Sequence, residues 1–294
     1  MILFAVVVFL GGALLAPCLF WLAQWAAGHW PAFEGLARSP FHRYVNRALL
    51  VLALAGIWPL MRALGARTGS EVGWVKPTGQ GRRLGLGLAL GFFSLALVAG
   101  LALLLGARQF KADLRAVSLV KYLFSAAGTA VVVATLEETF FRGAIFGGLR
   151  RVHAWTTALV LSSAIYAIVH FFQRPPSPTT VEWDSGLRIL LLMLQGFVDW
   201  PTVVPGFFTL TLAGAILGLA YHRTGNLYFS IGLHAGWIFW LKFYGAATVA
   251  VPGANVWWWG SSKLIDGWLA MGSLLLALAL LPRLTPPARA NRPL

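Results

Sequence analysis

Acidic residues are scarce in this chain. Nine Asp and Glu stand against 23 Lys and Arg in 294 residues. Charge of either sign is rare, at 11% of residues, where an ordinary soluble domain carries about a quarter. That shortage excludes a soluble globule. It also excludes a disordered chain, which needs many charges and few apolar residues, because 59% of this chain is hydrophobic. Cysteine occurs once, at Cys18, so one chain can build neither a disulfide framework nor a cysteine-based metal site. The net charge of +14 is spread singly between apolar runs rather than gathered into a patch, which argues against a nucleic-acid partner. The class that remains is a polytopic membrane protein. The lipid bilayer is its first partner, and Arg and Lys at helix ends face the head groups.

Several hydrolase signatures are missing too. There is no His-Glu-x-x-His helix and no Gly-x-Ser-x-Gly elbow. No apolar run holds an aspartate near its middle, so a two-aspartate mechanism lacks its residues. Neither a repeat of 20–50 residues nor a soluble domain is visible.

What the sequence does contain is long apolar stretches, near 2–26, 46–66, 84–107, 116–136, 155–172, 203–222, 226–247 and 264–282. A spanning helix needs about 20 residues. The expected fold is therefore all-α, a polytopic transmembrane bundle of about eight spanning helices. The run Leu187 to Val198 is shorter and reads as a re-entrant or interfacial helix. No basic segment precedes the first run, which is read as a retained span rather than a signal peptide. Trp257-Trp258-Trp259 reads as an interfacial aromatic belt, and the tail from Pro282 as disordered. Lys and Arg divide 12 to 11 between alternate loops, so the positive-inside rule gives no orientation.

Against this background two carboxylates stand out. Glu137 and Glu138 close the fourth apolar run, where a charged side chain costs on the order of 3 kcal/mol. Glu138 and Arg142 are four apart with the acid first, the favourable order for a helical ion pair. Glu137 lies about 100° further round the helix and is left available. His170 ends the fifth run and His234 sits in the seventh, so three titratable groups occupy three separate spans. A glutamate can take a proton from water while histidine orients that water or stabilises an oxyanion. Two imidazoles and a carboxylate are also a common zinc ligand set with a position open to water. A divalent metal such as Zn²⁺, held by Glu137, His170 and His234, and a metal-free Glu/His mechanism both stay open. Both lead to hydrolysis.

These residues resemble the CPBP family, the CAAX prenyl protease and bacteriocin-processing (ABI) intramembrane proteases. Its Glu-Glu-x-x-x-Arg motif is matched by Glu137, Glu138 and Arg142, with Phe141 before the arginine and Gly143 after it. Its Phe-x-x-x-His motif is matched by Tyr166 and His170, with tyrosine in place of phenylalanine. Its His-x-x-x-Asn motif is matched at His234 alone, because Ile238 stands where Asn is usual. The resemblance covers roughly 120–245. It implies an eight-helix membrane fold and an intramembrane endopeptidase, acting on a peptide or protein substrate within or at a bacterial inner (plasma) membrane. Glu137 would be the general base on water, His170 would assist, and His234 would help hold the oxyanion or a metal. Glu138 and Arg142 would position the site. Asn226, Gln195 and Tyr166 are candidates for the polar group that Ile238 cannot supply. The chain then divides into N-terminal transmembrane helices (1–115), a CPBP-like catalytic core (116–247), and a C-terminal transmembrane helix with a basic tail (248–294).

The Ile238 departure supports an alternative, a non-catalytic membrane scaffold or immunity-type protein of the same fold. A transporter that uses the buried Glu and His as a relay is a third reading. The connection from Gln173 to Pro205 is expected to shape access. Its Glu182, Asp184 and Asp199 read either as a solvated loop or as contacts for a basic substrate.

Overall fold

The computed structural model describes residues 2–173 and 175–286. In chain order its elements are α1 (Ile2–His29), a 3₁₀ turn (Pro31–Phe33), α2 (Glu34–Ala37), α3 (Phe41–Ala63), a 3₁₀ turn (Gly69–Val72), α4 (Gly81–Leu104) and β1 (Arg108–Phe110). There follow α5 (Ala116–Glu138), a π-helical stretch (Thr139–Phe146), α6 (Gly147–Leu149), α7 (Trp155–Val169) and α8 (Ser185–Met193), which a 3₁₀ turn (Leu194–Phe197) extends. The last described elements are α9 (Trp200–Thr224), α10 (Tyr228–Ala247), β2 (Thr248–Ala250), α11 (Val256–Trp259) and α12 (Trp268–Leu284). Every apolar run expected to span is helical, and the fold is all-α. Among the described residues, five helices are long and apolar enough to cross a membrane: Leu3–His29, Phe41–Ala63, Gly81–Leu104, Ala116–Leu149 and Trp200–Thr224. α7 and α12 are shorter apolar helices, cut back by the turns that flank them.

The helices form two compact units. The first holds the residues up to Gly65 together with Phe171–Asp199. Its core joins Ala16, Ala23, Phe41, Tyr44, Val45 and Ala48 to Ile189 and Met193 of α8. A Cβ on Gly186 would run into the Ala13 carbonyl oxygen, so glycine is what lets α8 reach the α1 backbone. Glu182 and Asp184 both pair with Arg188, at 3.4 and 2.7 Å. The two acids are already matched by an arginine of α8.

The second unit holds Ala66–His170 and the described residues from Trp200 onward. Its central seam is α4 against α10. Two Gly-x-x-x-Gly pairs, Gly87/Gly91 and Gly232/Gly236, meet there with backbone against backbone. Any side chain at Gly232 would strike the Leu84 carbonyl, and one at Gly91 the Leu233 carbonyl. Small residues at such spacing let apolar helices approach where no hydrophobic drive separates protein from lipid. A polar chain reinforces the seam: Trp237 Nε1 donates to Ser94 Oγ at 2.9 Å, and Ser273 Oγ of α12 donates to the Ser94 carbonyl at 2.5 Å. The far ends of α4 and α10 are tied by β1 and β2, an antiparallel pair with Gln109 opposite Val249.

α5 packs on α10 through a stripe at four-residue steps, Ala126, Ala130, Ala134 and Glu138, all buried. Its other faces present Val117, Val120, Phe124, Val131 and Val132 outward, as a lipid-facing surface does. The bound of the fourth apolar run, expected near residue 136, is corrected: the helix does not stop at Glu137 and Glu138. It continues through the π stretch to Leu149, which places both acids inside a run of 34 residues. The tail expected from Pro282 is also corrected. α12 passes through Pro282 to Leu284, because Arg223 donates to the carbonyls of Thr285 (2.9 Å) and Pro282 (3.3 Å) and so supplies donors at the helix end. Residues 287–294 lie outside the described residues.

Candidate active site

The site begins with Glu138 at the end of the α5 alanine stripe. Its side chain is 0% exposed and that of Arg142 3%, and Arg142 donates to Glu138 Oε1 at 2.9 Å. A second nitrogen of Arg142 donates to the Gly214 carbonyl of α9 at 3.2 Å, and the guanidinium lies 4.6 Å from the centre of the Tyr166 ring. A buried charge needs a partner and satisfied donors, and this arginine has both. The π stretch carries Arg142 within this reach. Single π turns inside α-helices recur at functional sites. Gly143 follows because the Val72 carbonyl lies 2.9 Å from where its Cβ would be. Trp74 of the same loop donates to Thr139 at 3.2 Å, which fastens the loop to the π stretch.

Glu137, one residue earlier, turns away from the stripe and keeps 30% of its side-chain surface. His170 sits at the C-cap of α7. Its Nδ1 lies 2.6 Å from the Tyr166 carbonyl, which can only accept, so Nδ1 carries the proton and Nε2 faces outward. That imidazole takes up a carbonyl left over at the helix end. His234 is buried on α10, held by the glycine seam behind it. Its Nδ1 lies 2.8 Å from Glu138 Oε1, so the same carboxylate oxygen receives Arg142 and His234.

The two Nε2 atoms then converge on Glu137. His234 Nε2 is 3.7 Å and His170 Nε2 3.9 Å from Glu137 Oε2, a buried oxygen with no hydrogen-bond partner of its own. Tyr166 Oη is 3.3 Å from His234 Nε2. The site therefore has two layers. Glu138, Arg142, Tyr166 and His234 form a buried support, and Glu137 and His170 form a partly open front. Separations of 3.7–3.9 Å between groups of this kind are those one water molecule can serve. Among the described residues no group of three or more His, Cys, Asp and Glu is arranged to hold a metal ion.

Asn226 and Gln195 are two of the residues that could replace a polar group at position 238. Asn226 is buried in the turn before α10, where it donates to the Thr224 carbonyl (3.0 Å) and accepts from the Tyr228 amide (3.2 Å). Gln195 belongs to the first unit and is exposed. Ile238 is buried, one turn beyond His234 on the same helix. The Gly214 carbonyl, the Ser94–Trp237 link and the paired Gly-x-x-x-Gly seams were missed by reading residues for chemistry. The glycine spacing was the signal that could have found the last of them.

No curated protein and no solved structure matches this chain. One family does: the match runs over residues 119–240, from α5 into α10, and takes in every residue of the two layers. Residues 119–240 match the family described as type II CAAX prenyl endopeptidase Rce1-like.

Proposed function

We propose that this integral membrane protein is an intramembrane endopeptidase that hydrolyses a peptide bond of a membrane-associated protein or peptide with water activated by Glu137. The observation that carries the reading is the convergence of Glu137 Oε2 with the Nε2 atoms of His170 and His234, at 3.9 and 3.7 Å. All three are acceptors when the imidazoles are neutral, and a water molecule offers two donors to such a set. Glu137 takes a proton from that water as its oxygen adds to the carbonyl carbon, and the carbonyl π pair moves onto oxygen. The carbon–nitrogen bond then breaks, and Glu137 returns the proton to the leaving amine. His170 and His234 hold the water in line. Glu138, itself fixed by Arg142, holds His234 in the tautomer that faces Glu137. The substrate class is that of the family, a protein or peptide C-terminus carrying a prenylated cysteine.

The test is cleavage of an internally quenched, farnesylated CAAX peptide by the full chain in proteoliposomes. Glu137→Gln keeps the size of the side chain and removes the base. It should lose at least about a hundredfold in kcat, the scale of a general base. Its thermal unfolding should match the unsubstituted protein, because Glu137 Oε2 has no hydrogen bond to lose. A Glu137→Gln variant with full activity would end the reading.

A further inference from the structure

Resting on that reading, a count of donors at the front of the site leads to one more assignment. Both histidines spend their Nδ1 protons on acceptors, the Tyr166 carbonyl and Glu138 Oε1. A ring that carries its single proton at Nδ1 offers a lone pair at Nε2. Glu137 Oε2 is a third acceptor. Arg142 donates to Glu138 and Gly214 and is buried against the ring of Tyr166. Ile238, one turn past His234 on the same face, has an apolar side chain. Three acceptors suit an attacking water, yet a carbonyl oxygen that gains charge needs a hydrogen-bond donor aimed at it.

The hydroxyl of Tyr166 fills that need. It is buried, and its oxygen is 3.3 Å from His234 Nε2, beside the point where the three acceptors meet. At that length it is weakly committed to the imidazole. Rotation about the bond from ring to oxygen re-aims the proton without moving a heavy atom. The ring itself is fixed, with the Arg142 guanidinium over one face and the His170 imidazole 4.4 Å from its centre. We propose that Tyr166 is the oxyanion donor: its O–H turns from His234 Nε2 to the substrate carbonyl oxygen as water adds. The hydrogen bond forms as the π pair reaches oxygen. The phenol keeps its proton throughout, and the bonds made and broken are those of the hydrolysis above.

The farnesylated CAAX peptide assay tests this with four proteins. Tyr166→Phe keeps the ring that Arg142 and His170 pack on, so its melting in detergent should match the unsubstituted protein. Its kcat should fall about a hundredfold with KM little changed, the loss typical of one oxyanion donor. Ile238→Asn in the Tyr166→Phe background puts an amide donor on the face of His234 and should restore at least about tenfold. If Glu137→Gln is inactive while Tyr166→Phe keeps full kcat, the assignment of Tyr166 falls and the hydrolase reading stands. The assignment also falls if Tyr166→Phe loses activity only through KM or through a lowered melting point. If Glu137→Gln is fully active, the hydrolase reading falls and takes the assignment with it.

Discussion

Two ion pairs of this protein share one sequence pattern and little else. Asp184–Arg188 in the first unit and Glu138–Arg142 in the second are both an acid followed four residues later by arginine, at 2.7 and 2.9 Å. The first pair is exposed, with 48% and 65% of its side-chain surface open, and it shares Arg188 with Glu182. The second is sealed, and its arginine and carboxylate are each shared with a second element: Gly214 of α9 for Arg142, His234 of α10 for Glu138. Spacing on a helix proposes a pair, and burial decides what the pair is for. In water the partners lose little when separated, because solvent takes up each charge. Inside the second unit neither can be removed without stranding the other, so the pair ties three helices to one carboxylate oxygen.

The sharpest way to break the contrast is Arg142→Ala. It leaves Glu138 buried with only His234 as partner, and loss of one member of a buried pair typically costs about 3–5 kcal/mol. Unfolding of the full chain in detergent should show a loss of that order, and cleavage should fall with it because His234 loses its anchor. A variant as stable as the unsubstituted protein would mean that the buried pair is not the tie described here. The matching change in the first unit is Arg188→Ala. Its expected cost is below about 1 kcal/mol, as for exposed pairs generally, with peptide cleavage unchanged. A loss at Arg188 comparable to that at Arg142 would erase the distinction.

The same contrast shows what could be read in advance. Apolar runs marked the helices because length and hydropathy are local properties. The spacing of Glu138 and Arg142 announced their pair, and the hundred-degree offset left Glu137 free, as the geometry has it. The extension of the helix past the two acids could not be read, because their charge interrupts the apolar run there. Their stabilisation comes from Arg142, Gly214 and His234, of which two lie more than 70 residues away. Asn226 looked available for a different reason: its partners Thr224 and Tyr228 are local, but a turn's hydrogen bonds have no hydrophobic period. Pro282 looked like a stop because the donors that cover the helix end come from Arg223 of another helix.

The smallest effect is expected where an ion pair binds a loop outside the helices. Glu71, on the 3₁₀ turn before the Trp74 anchor, accepts from Arg151 at 3.0 Å and from Thr68 at 3.1 Å. The Arg151 hydrogen bond, followed by that from Thr68, lowers its pKa below the usual carboxylate range. A group whose pKa is lowered by folding adds stability that is fully present above its unfolded pKa and is lost as pH falls through the folded value. The difference in melting temperature between the unsubstituted protein and Glu71→Gln should therefore be constant near neutral pH. It should shrink as the pH drops through the ordinary carboxylate range toward the lowered folded value, and vanish once Glu71 is protonated in both states. Because Glu71 is solvated, this difference should be smaller than the one at Arg142. It should also shrink with added salt, since screening weakens exposed pairs and leaves buried ones nearly untouched. Insensitivity of the Glu71→Gln difference to both acid and salt would show that Arg151 holds the loop by packing rather than by charge. In that case the loop would group with the sealed pair instead of the solvated one.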